Sequence, residues 1–393
     1  MFVALALLAT ALPALAWDNS SQYLSGLGQA LQDAGLTTLG SQTSRLNNSV
    51  LGRALLARLV LGNYTLFAPD NEAFANATNS TSISNDDNFF AQTILYHIVS
   101  GSFSANNDTN ATLEAETYPN VTIGRTLLDD PSVVQLEGNK SQVLVWSNID
   151  GQVEMYNQPT SVSVQNSTIF ENLLVNRING VLLIPPNVSD VLAAQNLTVF
   201  GRPFQFSNLQ GFTFFAPDNA AIELEGSSLT SVTANNTALL AILSNHGVNG
   251  TTIYSPSITA SENLTSAGGE PLTFTTNSSG VFVNSGGSSA RIIKTDILCK
   301  NGVLHMLDRV LINTETNPEA ASSAYESATL IAASSTTETG PVGTPTASSN
   351  GSEGVLTGNS AQGAFVGVTD NMNTMYAALL GVMGWALLGI ALV

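Results

Sequence analysis

Apolar positions fall along this chain in short clusters, and their spacing separates strand from helix. Tyr64 to Ala68 is a short apolar and aromatic run, as a buried strand requires. Pro69 has no N–H to extend a ladder, so the strand ends there. Asp70 is placed to cap a helix beginning at Asn71, with Phe74 turned into the core. From Phe89 to Val99, apolar residues at 90, 94, 95 and 98 keep helical spacing. Val121–Ile123, Val143–Trp146, Val153–Tyr156, Leu272–Thr275 and Val281–Val283 read as strands. Asn301-Gly302 is a two-residue turn between apolar runs, which predicts a hairpin. Val188 to Ala194 reads as a helix capped by Ser189 or Asp190.

The two longest apolar runs lie at the ends. Phe2 to Leu12, then Pro13 and Ala14-Leu15-Ala16, is an apolar core followed by an A-x-A-like site, and it is too short for a bilayer span. It predicts a signal peptide over residues 1–16, with the mature chain starting at Trp17. Met375 to Val393 is apolar and uncharged, and no Lys or Arg lies between Arg309 and the end. Upstream stand a polar spacer and the small residues Asn359, Ser360 and Ala361. This is the pattern of a GPI-attachment signal. Asn359 is the first choice for attachment, with Gly358, Ser360 and Gly363 as rivals and a plain tail span as the alternative. Residues 363–393 would be the propeptide. Ser322 to Gly358 is rich in Ser, Thr, Ala and Gly with little to bury, so residues 315–362 read as a disordered, O-glycosylated stalk.

Between these ends the chain repeats itself. Tyr64 to Phe74 matches Phe212 to Ile222 at an offset of 148, and Leu95-Tyr96-His97 matches Ser244-Asn245-His246 at 149. Asn179-Gly180-Val181-Leu182 matches Asn301-Gly302-Val303-Leu304 at 122. The fall predicts about 27 extra residues in the first copy, within about 102–166. The domains are then 17–187 and 188–314, meeting near Pro185-Pro186-Asn187, and each mixes a few helices with short strands.

The repeated segments resemble signatures of the fasciclin-like domain family. Thr65 to Phe74 and Thr213 to Ile222 are similar to its T-x-F-A-P-x-D-x-A-F segment. Asn301 to Leu311, N-G-V-L-H-M-L-D-R-V-L, is similar to its second signature. The first copy reads N-G-V-L-L-I-P-P there, so Leu183 takes the histidine's place and the aspartate is missing. The resemblance covers roughly Trp17 to Asn313. It implies an α+β fold: two tandem domains, each a wedge of β-sheet with packed helices. It also implies cell adhesion and matrix contact, as in fungal or plant surface members. In animal members Tyr-His and Asp-Ile segments are linked to integrin binding. That makes Tyr96, His97, His246, Asp296 and Ile297 the candidate binding residues, although Asp296-Ile297 leads straight into the turn, where a structural role is equally open.

Composition narrows the function. The net charge is −18, from 29 acidic and 11 basic residues, and such a surface repels nucleic-acid phosphates. The chain holds 17 N-x-S/T sites; those expected to carry glycans include Asn76, Asn107, Asn120, Asn139, Asn196, Asn249, Asn263 and Asn277, with Asn63 doubtful beside its strand. Cys299 is alone, so no intramolecular disulfide forms, and its apolar setting predicts a buried, inert thiol. His97, His246 and His305 are the three histidines and none has metal-ligand spacing. No nucleophile elbow occurs. Asp86-Asp87 and Asp129-Asp130 read as caps or turns. The expectation is therefore a non-enzymatic surface glycoprotein with no cofactor, held at the extracellular face of the plasma membrane by a GPI lipid or transferred to the cell wall. Its partners would be wall polysaccharide, surface glycoproteins or a copy of itself. The alternatives are a wall-polysaccharide hydrolase, which needs two facing carboxylates, and a lipid or small-ligand binder, which needs an apolar cavity.

Overall fold

The computed structural model describes residues 15–79, 85–105, 111–197, 209–233, 235–260, 262–334 and 338–343. The apolar run before Leu15, Asn107, Asn359 and the terminal apolar tail lie outside the described residues. The chain divides into two compact units. Unit 1 is Met1–Leu128 with Trp146–Leu183; unit 2 is Asp129–Val145 with Ile184–Val393.

Unit 1 opens with three helices, α1 (Leu15–Asp33), α2 (Thr37–Gln42) and α3 (Val50–Leu59). The predicted strand is β1 (Tyr64–Pro69), and α4 (Asn71–Asn79) follows it. Asp70 caps α4 as expected, its Oδ1 accepting from the Ala73 N–H at 2.8 Å. Next come α5 (Asp87–Tyr96), β2 (Ile98–Ser100) and β3 (Thr122–Arg125). The helix expected to reach Val99 stops at Tyr96 because Leu66 of β1 pairs with Ile98. The remaining strands are β4 (Val143–Ile149), β5 (Gln152–Met155), β6 (Val162–Phe170) and β7 (Leu173–Ile178). They form a seven-stranded sheet in the order β2-β1-β7-β6-β5-β4-β3, with β1 and β7 parallel. Phe67 and Phe103 pack on Trp146 with ring centroids 5.3 and 5.1 Å away.

Unit 2 repeats this order. Its elements are α6 (Val188–Ala194), β8 (Phe212–Pro217), α7 (Asn219–Thr233), α8 (Asn236–Asn245) and β9 (Gly247–Asn249). Then follow β10 (Asn263–Thr265), β11 (Pro271–Asn277), β12 (Gly280–Ser285), β13 (Ser288–Cys299) and β14 (Gly302–Leu307). The sheet order β10-β11-β12-β13-β14-β8-β9 is the unit 1 order read from the other end. The predicted hairpin is present one residue early: Cys299 pairs with Gly302, so Lys300-Asn301 makes the turn. One apolar cluster joins α6 to β8, β13 and β14 through Val191, Phe214, Ile297 and Leu304; another gathers Phe215, Phe274 and Leu311.

Three expectations are corrected. The stalk does not begin at residue 315. Pro318–Ser334 forms helix α9, which belongs to unit 2. Asn317 Oδ1 accepts from the Ala320 N–H, Pro318 starts the helix, and Ala328 and Ala332 are buried. Ala-rich sequence has the highest helix propensity and needs only small residues to dock closely, so low hydrophobicity does not prevent a packed helix here.

The third repeat match is out of register. Thr65 pairs with Leu174 where Thr213 pairs with Val303. Asn176 therefore stands where His305 stands, and Asn179, not a missing residue, stands where Asp308 does. The side chains agree: Asn179 Oδ1 accepts from the Ser163 N–H as Asp308 Oδ1 accepts from that of Arg291, each at 2.8 Å. The counterpart of Asn301 is Asn172, and N-G-V-L recurs by chance seven residues downstream of it.

The insertion is somewhat shorter than expected and lies within the expected span. The Leu127 N–H donates to Ile98 O as that of Ala267 does to Gly247 O, an offset of 140. Ile149 pairs with Gln152 as Asn277 pairs with Gly280, an offset of 128. Nine extra residues thus lie between Ile98 and Leu127 and about a dozen more between Leu127 and Val143, and the second stretch counts with unit 2. There Gln135 donates its N–H to Lys300 O at 2.9 Å, Gln142 Nε2 donates to Cys299 O at 3.0 Å, and Thr252 Oγ1 donates to Glu137 Oε2 at 2.7 Å. Both units are α+β, in line with the expected fold class.

Candidate functional site

The five candidate binding residues are all buried. Tyr96 is 1 % exposed, His97 0 %, His246 1 %, Asp296 0 % and Ile297 3 %. They fall into two constructions, and neither presents a surface to a partner.

The first is a histidine clasp present in each unit. His97 follows α5, and its Nδ1 lies 2.7 Å from Thr93 O, one helical turn back. Its Nε2 accepts from the Leu182 N–H, just past β7, at 2.9 Å. Because Nε2 accepts, the ring proton sits on Nδ1 and is donated to the carbonyl. His246 repeats this between Ile242 O at 2.7 Å and the Leu311 N–H at 3.0 Å. A neutral imidazole is thus spent joining a helix end to the chain leaving β7 in unit 1 and β14 in unit 2. Burial pushes both rings down from 6.5 to about 4. Asn245, the counterpart of Tyr96, adds a second tie. Its Nδ2 donates to Asn313 O at 3.0 Å and Glu315 O at 2.9 Å, directing the chain toward α9.

The second construction surrounds Asp296. This residue sits at a bulge in β13 with φ 55°, a left-handed conformation that Asp tolerates better than most residues. Its Oδ1 accepts from the Ser255 N–H at 2.7 Å and its Oδ2 from the Ser255 hydroxyl. His305 Nε2–H donates to Ile253 O at 2.9 Å, and the ring stacks on Phe215 with centroids 5.4 Å apart. Burial lowers the His305 pKa, opposed by the neighbouring Asp296 charge. Ile297 points into the core. The Asp-Ile segment is thus buried, with its carboxylate bonded to Ser255 and its Ile in the core. Unit 1 replaces the pair: Ser167 Oγ donates to Asn176 Oδ1 at 2.6 Å where Asp296 and His305 stand. The signal that locates this equivalence is the Val-Leu pair closing both segments, Val181-Leu182 and Val310-Leu311.

The carboxylate pairs are also occupied. Asp86 caps α5, accepting from the Asn88 N–H at 2.8 Å. Asp87 accepts from Arg45 at 2.8 Å and Asn48 at 2.9 Å; those hydrogen bonds, Arg45's first, hold its pKa below the usual value. Asp130 accepts from the Ser132 N–H at 2.9 Å in a turn. Among the described residues no group of three or more His, Cys, Asp or Glu is placed to hold a metal ion. The apolar cavity of unit 1, against Leu27, Leu56, Phe90 and Ile94, measures about 30 Å³, room for a water and not for a lipid. Cys299 is buried, and desolvation pushes its thiol pKa well up.

What the surface does present is sequons. Asn76, Asn120, Asn139, Asn196, Asn263 and Asn277 are exposed, and so is Asn63. Asn249 is the exception: it lies in β9, half-buried, with Oδ1 buried and unpaired.

The Fasciclin domain profile matches residues 27–185 and again 187–313. The chain belongs to the fasciclin-domain family. A fasciclin-like arabinogalactan protein of Arthroderma benhamiae is 26% identical over 261 residues, which are 63% of this chain and 58% of that protein. The chain thus spans less than two thirds of that relative's length. Among solved structures, the FAS1 domain pair of the insect cell adhesion molecule Fasciclin I matches at 19% identity and a TM-score of 0.33, covering 72% of this chain and 98% of that one. No helix among the described residues is long and apolar enough to cross a membrane.

Proposed function

We propose that this fasciclin protein is a non-enzymatic glycoprotein of the extracellular plasma-membrane face, held by a GPI lipid and acting in cell adhesion or wall organisation. The observation that carries this reading is where the polar chemistry goes. In each unit the histidine, and in unit 2 also the Asp-Ile carboxylate, is consumed in internal hydrogen bonds. The exposed surface meanwhile carries sequons in both units. A surface of that kind acts by presentation. Weak contacts from two domains gain strength when many copies share one membrane. The name of the fungal relative, a fasciclin-like arabinogalactan protein, is in keeping with a glycosylated surface protein.

The partner is then wall polysaccharide, a surface glycoprotein or another copy of the chain. The test has two steps. Phosphatidylinositol-specific phospholipase should release the protein from intact cells, and the released form should bind a glycan and cell-surface array when immobilised densely. Deletion should reduce cell cohesion or wall integrity. Resistance to the phospholipase defeats the anchor, and unchanged cohesion and wall properties defeat the adhesive role.

A further inference from the structure

Unit 1 has a polar hollow where unit 2 has core. In unit 2, Ile297, Leu304 and Met306 lie on one face of the β13–β14 pair and pack into the cluster under α6. The corresponding positions in unit 1 are Thr168, Val175 and Arg177. They line an open hollow of about 320 Å³, walled on one side by Ala34 and Leu36 just past α1. Asn166 stands at the rim, directly opposite Arg177 across the β6–β7 ladder. Residues 166 and 168 share a face because strand side chains alternate. Ser167, between them, also belongs to the hollow's lining, and its hydroxyl donates to Asn176.

Two features mark this hollow as a receiver. Asn166-Ser167-Thr168 is an N-x-T sequon, and Asn166 is exposed. Arg177, which lines the hollow, has a side chain 39 % exposed; its Nη2 lies 3.3 Å from Asp70 Oδ2, and a guanidinium carries more N–H donors than that one contact uses. The hollow's volume is at the low end of the roughly 300–1,000 Å³ that holds a small ligand, which suits a sugar ring or two.

The geometry points to Asn166 as an N-glycosylation site whose first N-acetylglucosamine lies in this hollow, its oxygens accepting from Arg177 and its apolar face resting on Leu36 and Val175. The glycan is then part of the fold of unit 1 as well as a surface coat. This inference rests on the surface-glycoprotein reading, and its test separates the two.

The full chain is secreted from a glycosylating eukaryotic host, and its glycopeptides are mapped by mass spectrometry. Asn166 should be occupied. Trimming with an endoglycosidase that leaves one N-acetylglucosamine should keep the melting temperature, whereas Asn166→Gln, which carries no sugar there, should lower it by about 2–4 °C. Thr168→Ala should lower it equally; Thr168→Ser, which preserves the sequon, should not. Arg177→Lys keeps a charge for Asp70 but removes the planar fork of donors. It should leave occupancy unchanged and abolish the loss that Asn166→Gln otherwise causes. A bare Asn166 beside occupied Asn120 or Asn277 overturns this inference and leaves the surface reading standing. Equal melting temperatures with and without the first sugar also overturn it. An absence of glycan at every sequon overturns both.

Discussion

The imidazoles of His97 and His246 make the sharpest demand on solution conditions. Both are neutral in the fold, with pKa values near 4 against 6.5 when exposed. Above pH 6.5 folded and unfolded chains are equally deprotonated there, so the clasps contribute fully. As pH falls from 6.5 toward 4, the unfolded chain takes up protons that the folded one refuses, and stability drops. Each clasp should lose roughly 3 kcal/mol across that window. Urea unfolding at a series of pH values checks this. His246→Gln should flatten the fall attributable to unit 2, and a slope that stays the same refutes the assignment. A second consequence concerns Asn249. Its half-buried place in β9, with Oδ1 buried, predicts an empty sequon, while exposed Asn263 and Asn277 of the same unit are expected to carry glycans. Glycopeptide mapping decides it.

Helix α9 and the Asp129–Val145 stretch change what unit 2 is. Tyr325 lies against Gly250, where an added Cβ would approach its ring to 2.9 Å, and Gly250 has φ 77°. A side chain there would be both strained and crowded. Tyr325→Ala should free α9: proteolysis within 318–334 should rise at least several-fold, and the local cost should be about 2–4 kcal/mol. Unchanged cleavage would show that Ala328 and Ala332 alone hold the helix. Strand β6 shows the limit of periodicity. Its residues Val162 to Phe170 carry no strand pattern, because exposed Gln165, Asn166 and Thr168 break the apolar alternation. What makes it a strand is its ladder to β7, a partner supplied by the fold.

Two separate cores without a disulfide must each be held by packing alone. Cys299 reports on one of them. Its thiol is buried in unit 2, so a thiol-reactive dye should label it only when that unit opens. His246→Ala leaves the Leu311 N–H without its acceptor and should accelerate labelling by tenfold or more. Hydrogen exchange of the β1 and β7 amides in unit 1 should stay as in the unsubstituted protein. Labelling at an unchanged rate would mean that the clasp is not what keeps unit 2 closed.

The duplicated family signature, the aspartate caps of α4 and α7, and most strands were legible in the sequence. They depend on periods and on hydrogen bonds a few residues long, and such information is local. The Asp218 carboxylate capping the Ala221 N–H at 2.7 Å repeats Asp70, as the matched segments require. Other features depended on residues far apart. The true register of the second signature follows from Thr65 pairing with Leu174 and Thr213 with Val303, contacts ninety residues apart in the smaller case. The burial of His97, His246 and Asp296 followed from strands closing over them. Even the membership of Asp129–Val145 in unit 2, and the polar hollow beside Asn166, were settled by which surfaces met in three dimensions. Sequence specified the repeated parts; packing decided which of their polar groups remained at the surface, because only tertiary contacts determine what water can reach.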